Sequence, residues 1–150
     1  TFKSAPHRCV EIANYGSVRF IDDSKATNIG ATIAALEGLA PHTKGKLILI
    51  AGGDAKGADM NSLAPYLSKH VANVFAMGKD ASLFKGCFPN TTVVTSMAEA
   101  VKGASSLAGS GDVVLLSPAC ASIDMFNNYM HRGDVFKQAV EALFVGEVTS

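Results

Sequence analysis

The sequence carries no net charge, because 13 basic residues balance 13 acidic ones. That balance argues against broad attraction to nucleic acid or to a membrane surface and favours small, locally recognised ligands. No apolar run approaches the ~20 residues that a membrane helix needs, and the opening stretch TFKSAPHR has no apolar signal region. Cysteine is scarce. Cys9, Cys87 and Cys120 are odd in number and lack CxxC spacing, so reduced thiols in a cytoplasmic protein are expected, with Cys120 a small packing residue. The four histidines, His7, His42, His70 and His131, stand in unrelated segments without an HxxxH-like pairing. They read as surface or packing residues, and no metal site is expected.

What remains is a well-packed chain. Hydrophobic residues make up 48% of the 150, which excludes disorder. The length suits one domain able to bury roughly two thirds of its unfolded-chain surface. An opening hairpin is expected from the alternation in Cys9–Ile12, the turn residues Asn14–Ser17 and the extended run Val18–Ile21. Ile29, Ile33, Leu36 and Leu39 then recur at helical spacing. Short apolar runs at Lys46–Ala51, Val71–Met77, Thr92–Val94 and Asp112–Leu116 read as strands, the first and last buried on both faces. Helices are predicted near Asn61–Lys69, Asp80–Lys85, Ser96–Leu107 and Gly133–Leu143. Ser96 with Glu99 three residues on forms a capping-box pattern, and Phe136, Val140 and Leu143 share a face of the last helix. Strand–helix alternation of this kind predicts an α/β fold, a Rossmann-like doubly wound and mostly parallel sheet with an N-terminal antiparallel hairpin element.

In such a sheet, ligands bind beyond the carboxyl ends of the strands. Three segments at those ends gather the polar residues: Asp22–Asn28, Gly52–Asp59 and Ser117–Asp124. Thr27 and Asn28 precede a helix, so backbone N–H groups and the positive helix end face the cleft beside Lys25. Alone, that segment reads equally as an N-cap with a solvated lysine. Asp23 beside Lys25 is a surface pair, or an acceptor for a sugar hydroxyl next to a cation for phosphate. GGDAKGAD lets a backbone approach a ligand and supplies Lys56 as a mobile charge. It lacks the GxxxxGK[ST] spacing of a phosphate cradle, and GxGxxG is absent too. Ala119–Ser122 are small residues that leave room for a ligand, with Ser122 able to donate to a carboxylate. No GxSxG elbow surrounds Ser122. Two lysines, two hydroxyls and helix N-termini at one sheet edge make an anion site suited to a small dicarboxylate or an amino acid. Each charge-assisted hydrogen bond is worth roughly 1.5–3 kcal/mol. Several are needed, since association itself costs at least ~4 kcal/mol.

DDSKATN, GGDAKGAD and SPACASIDMFNNYMHRG, with PHR near the start, resemble signature segments of the C-terminal domain of the Mur ligase family, in the branch that adds D-glutamate. DSKATN is followed by SPACAS about ninety residues later, and the resemblance runs through the whole chain in order. It implies one domain, residues 1–150, excised from a three-domain enzyme that uses ATP to join D-glutamate to UDP-N-acetylmuramoyl-L-alanine through an acyl phosphate, in peptidoglycan precursor synthesis. By the same resemblance Thr27, Lys56 and Ser122 hold the D-glutamate carboxylates. Ile123 and Tyr129 assist through backbone N–H groups, with Tyr129 standing where the family shows phenylalanine. Asp23 accepts from the ATP ribose, and Arg8 and Lys25 face the phosphates, Lys25 being the catalytic cation. ATP and magnesium are expected mainly on the absent central domain, with neither held tightly here. The isolated domain is expected to be inactive and the protein a monomer with no nucleic-acid or membrane partner. The alternatives are a domain of a related amide ligase, such as a folylpolyglutamate synthase or a Mur ligase adding another amino acid, and a non-catalytic Rossmann-like phosphate- or nucleotide-binding module. The DNPR-type motif expected of the meso-diaminopimelate-adding branch is missing.

Overall fold

The computed structural model describes residues 7–122 and 124–148. Six strands form one sheet: β1 (Val10–Tyr15), β2 (Val18–Asp22), β3 (Leu47–Gly52), β4 (Asn73–Met77), β5 (Thr91–Val93) and β6 (Val113–Leu116), in the spatial order β1-β2-β6-β3-β4-β5. β1 and β2 are an antiparallel hairpin with a register shift between Glu11 and Ala13, and all other neighbours are parallel. The predicted fold class is the observed one.

Period-two alternation explains why both faces are covered. In β3, Leu47, Leu49 and Ala51 join one apolar cluster, with Leu36, Leu63, Leu67 and Phe84. Ile48 and Ile50 point the other way, into a second cluster with Val101, Ala104, Phe136 and Val140. The first cluster lies under α1 (Ile29–Leu39), α2 (Ala64–His70) and α3 (Ala81–Cys87); the second lies under α4 (Met97–Leu107) and α5 (Tyr129–Val148). Buried on both sides, a parallel strand reads as a continuous apolar run.

Local signals set most helix starts. The Asn28 side chain accepts from the Ala31 N–H, so α1 has an ordinary N-cap. Ser96 accepts from Glu99 N–H at 3.1 Å, and the Glu99 carboxylate accepts from Thr95 N–H at 2.8 Å, one residue before the cap. The expected start of the last helix at Gly133 is corrected to Tyr129. Asn128 caps it, its carboxamide oxygen accepting from His131 N–H at 2.8 Å. Leu143 does not share the buried face with Phe136 and Val140. It is exposed, and Phe144 instead stacks on Tyr15 at 4.3 Å between ring centroids, because the helix's last turn runs beside the β1–β2 edge rather than over the sheet centre.

The chain order creates one switch point. From β3 it moves outward through β4 to β5, then returns to insert β6 between β2 and β3. The carboxyl ends of β2, β6 and β3 are therefore adjacent, at the place where doubly wound sheets bind ligands. Close approach there requires glycine. Gly53 has φ +136°, and a Cβ on it would run into the Ala121 carbonyl and meet the Cys120 Cβ at 3.2 Å. Gly53→Ala is expected to destabilise the domain by about 2–3 kcal/mol in urea unfolding; a loss below about 0.5 kcal/mol would show that the two loops do not need this contact.

Candidate functional site

Three strand-end loops are stitched into one surface by backbone hydrogen bonds. Ala119 N–H donates to the Ala26 carbonyl at 3.0 Å, joining the loop after β6 to the loop after β2. Asp54 and Ala121 exchange a pair of bonds at 3.0 and 2.9 Å, joining the loop after β3 to the same central loop. Gly52 N–H adds a bond to the Pro118 carbonyl at 3.1 Å. Thr27 and Ser122 each directly follow one of these stitched residues and Lys56 lies two residues past Asp54, so the chain brings the three segments together. Thr27 and Lys56 are exposed, and Ser122 is buried. Lys56 has φ +51° and Ala119 φ +62°, left-handed geometry that costs an L-residue roughly 1–2 kcal/mol and that the stitches enforce. Ile123 lies outside the described residues.

Beneath the stitches sits a residue to which sequence reasoning gave no role. Arg132, in the first turn of α5, is 1% exposed. Its guanidinium donates to the Cys120 carbonyl and to the Ser24 carbonyl, both at 2.9 Å, so one side chain holds the central loop and the β2 loop together. Among the described residues no carboxylate lies within ion-pair distance of it, and Nε has no hydrogen-bond partner. Burial pulls its pKa down to about 10, opposed by Asp124 and Asp22 at longer range. It remains a cation at neutral pH. An arginine amid the polar run NNYMHRG reads as a solvated helix residue, which is why only the packing reveals it.

Against the β2 loop lies an open crevice of about 300 Å³, lined by Arg8, Cys9, Asp23, Lys25 and Ala26, with Ala31, Ala34 and Ala35 of α1 as its apolar wall. The 7–9 segment is pinned alongside: Lys25 N–H donates to the His7 carbonyl at 2.9 Å, and Cys9 N–H to Asp23 Oδ1 at 3.2 Å. His7 and Cys9 are both left-handed, at φ 63° and 48°. His7 is no loose surface residue, since its Nδ1 bonds Asp22 Oδ2 at 2.7 Å and its ring meets that of Tyr129 edge-on at 6.2 Å. Tyr129, the first residue of α5, thus stands on the β2 side of the stitched loops. Small residues along α1 leave the crevice open, while Arg8 and Lys25 put positive charge at its rim.

Asp23 forms the crevice floor and is only 4% exposed. It accepts from the Ser117 hydroxyl at 2.8 Å, and Ser117 also lies 3.1 Å from the Thr32 hydroxyl. Burial raises the Asp23 carboxyl to about 6, while the Ser117 hydroxyl and Cys9 amide pull it partly back. The cysteine thiols are pushed the same way: Cys9 and Cys120 to about 12, by burial first, and Cys87 upward by burial. Raised in this way, the thiols are held toward the protonated form. Among the described residues no group of three or more His, Cys, Asp or Glu side chains is placed to hold a metal ion, and no helix is long and apolar enough to cross a membrane.

The chain is similar to proteins of one family. The family described as Mur ligase, glutamate ligase domain, matches residues 7–120. A UDP-N-acetylmuramoylalanine--D-glutamate ligase from Pseudoalteromonas translucida is 51% identical over 141 residues, covering 94% of this chain and 31% of that protein. The chain therefore spans about a third of its curated relative's length. Among solved structures, a bifunctional folylpolyglutamate synthase/dihydrofolate synthase with Mn, AMPPNP and L-glutamate bound superposes with a TM-score of 0.67 at 18% identity, over 90% of this chain and 32% of that one. A separately crystallised domain of a putative UDP-N-acetylmuramate:L-alanyl-gamma-D-glutamyl-medo-diaminopimelate ligase from Haemophilus ducreyi matches with a TM-score of 0.64 at 15% identity, over 91% of this chain and 99% of that one.

The raised Asp23 carboxyl sets a pH test on the domain. Its folded value, about 6, exceeds the ordinary 3.8. Below 3.8 both folded and unfolded chains hold the proton and Asp23 carries no penalty. As pH rises toward 6 the unfolded chain loses its proton first, so folding grows less favourable by on the order of 2–3 kcal/mol. Asp23→Asn removes that penalty. The stability of the variant relative to the parent is expected to be higher at pH 7.5 than at pH 4, measured by urea unfolding at both; a pH-independent difference would show that Asp23 titrates normally.

Proposed function

The chain belongs to the Mur ligase family, as a glutamate ligase domain, and on that footing we propose that it is the amino-acid-binding domain of the ATP-dependent ligase that joins D-glutamate to UDP-N-acetylmuramoyl-L-alanine. The observation that carries this reading is the stitching of the loops after β2, β6 and β3, with Thr27 and Ser122 one residue beyond a stitch and Lys56 two residues beyond. Half-identity to a D-glutamate-adding relative favours that amino acid over the others used by amide ligases. The central and UDP-sugar-binding parts of the reaction fall to the remaining two thirds of such a protein.

In this mechanism ATP supplies a phosphoryl group that turns the muramoyl-alanine carboxylate into an acyl phosphate. The amine of D-glutamate attacks its carbonyl, and the tetrahedral intermediate releases phosphate as the amide forms. Within this chain, Lys56 supplies a charge to a D-glutamate carboxylate, and the Thr27 and Ser122 hydroxyls donate to the carboxylate oxygens. Backbone N–H groups of Ile123 and Tyr129 complete the set. The Asp23 carboxylate accepts from the ribose, and Arg8 and Lys25 face the phosphates, where Lys25 stabilises charge developing during transfer. The fit of the crevice to a nucleoside rests on its volume, its alanine wall and the buried carboxylate at its floor. No residue here is assigned to magnesium. Closure against the central domain is what brings the amine to the acyl phosphate, so the domain alone does not turn over.

In the full-length enzyme Lys56→Ala is expected to raise the KM for D-glutamate by about tenfold or more, while the KM for ATP changes by less than about twofold. Steady-state phosphate release with each substrate varied in turn measures both. Equal effects on the two substrates would remove Lys56 from the amino-acid site.

A further inference from the structure

A fourth strand-end loop, the one after β4, reaches the same surface and has had no role so far. Its backbone is bound into the amino-acid segments. Met77, the end of β4, pairs with Gly52. Gly78 follows with φ +83°, and a Cβ there would lie 2.9 Å from the Gly53 Cα and 2.7 Å from Asp124 Oδ2, so the loops touch only because the side chain is missing. Asp80 N–H donates to the Gly53 carbonyl at 3.0 Å, and Ala55 N–H to Asp80 Oδ2 at 2.8 Å. Lys79 N–H donates to Asp124 Oδ2 at 2.7 Å, two residues past Ser122.

The Lys79 ammonium lies 3.8 Å from Asp54 Oδ1, the oxygen that also accepts Lys56 N–H at 2.8 Å. Asp54 is in turn the residue that pairs with Ala121, the neighbour of Ser122. One carboxylate therefore tethers the Lys79 charge beside both the Lys56 segment and the Ser122 segment. At 3.8 Å the contact is longer than a hydrogen bond, and the Lys79 side chain is 64% exposed. Such a pair contributes little to stability and leaves the ammonium able to turn to another anion. The acidic neighbours are occupied as backbone acceptors: Asp54 by Lys56, Asp80 by Ala55 and Asp124 by Lys79 itself.

Strand order says which anion. Across the ligand edge the loops run β2, β6, β3, β4, and the crevice proposed above for the nucleotide is at β2. An amino acid whose amine faces that crevice extends its side chain toward β3 and β4. We propose that Lys79 is a specificity-determining residue that leaves Asp54 to bind the side-chain carboxylate of the incoming D-glutamate. Thr27, Ser122 and Lys56 are then shared over the remaining carboxylate oxygens, and a neutral side chain loses an ion pair at this end. The assignment rests on the D-glutamate reading above.

Initial-rate kinetics of the full-length enzyme, with D-glutamate varied at saturating ATP and UDP-N-acetylmuramoyl-L-alanine, test it. Lys79→Met is expected to raise the KM for D-glutamate about tenfold and to change that for ATP by less than about twofold, whereas Lys79→Arg stays near the parent. Asp54→Asn keeps the oxygen that accepts Lys56 N–H and removes the competing charge, so it lowers the KM for D-glutamate, and only while Lys79 is present. An unchanged KM in Lys79→Met, an equal rise for ATP, or an Asp54→Asn effect that persists in the double variant would overturn the assignment. If the unmodified enzyme shows no D-glutamate-dependent phosphate release, the D-glutamate reading itself fails. If it does, and Lys79→Met matches it, only Lys79 falls.

Discussion

A buried guanidinium holds the ligand edge of this domain in register. Arg132 reaches from α5 under the sheet edge and spends two of its donors on the carbonyls of Ser24 and Cys120. Those carbonyls belong to loops separated by most of the chain, one bearing Lys25 and Thr27, the other Ser122. Burying a cation with no carboxylate beside it is costly, and several local costs accompany it: left-handed backbone at His7, Cys9, Lys56 and Ala119, and a buried Asp23 that resists ionisation. Strain of this kind gathers at sites where binding rather than folding sets the geometry. An anionic ligand above the loops would offset the charge that Arg132 places beneath them.

The same arrangement divides the edge into two parts. On the β2 side, Asp23 is fixed by Ser117 and Cys9, and the alanines of α1 wall an open crevice. Toward β3 and β4, charge is carried on exposed, flexible lysines whose acidic neighbours serve as turn pins. The β6 loop lies between them and is bonded to both sides, through Ala119 and Ala121.

How much of this was legible in the residues depended on whether the signal was periodic. The apolar runs Lys46–Ala51, Val71–Met77 and Asp112–Leu116 announced strands, and Ser96 with Glu99 announced a helix start, because each is a short-range pattern with a direct physical cause. The three strand-end segments were legible for the same reason, as glycines, hydroxyls and lysines left outside every periodic stretch. The start of α5 was not, since Asn128 caps a polar turn before any apolar repeat begins. Arg132 was missed because a charged residue in a polar stretch reads as solvated, and only long-range packing buries it. Lys79 was given no role, its place beside Asp54 depending on the strand order that brings β4 next to β3.

The central claim is that three loops from distant parts of the chain act as one ligand surface. Titrating the ¹⁵N-labelled domain with D-glutamate and following backbone amide shifts tests it directly. The amides of Thr27, Lys56 and Ser122 should move together along a single binding curve. Shifts confined to one loop, loops that follow separate curves, or no shift at any of the three would contradict it.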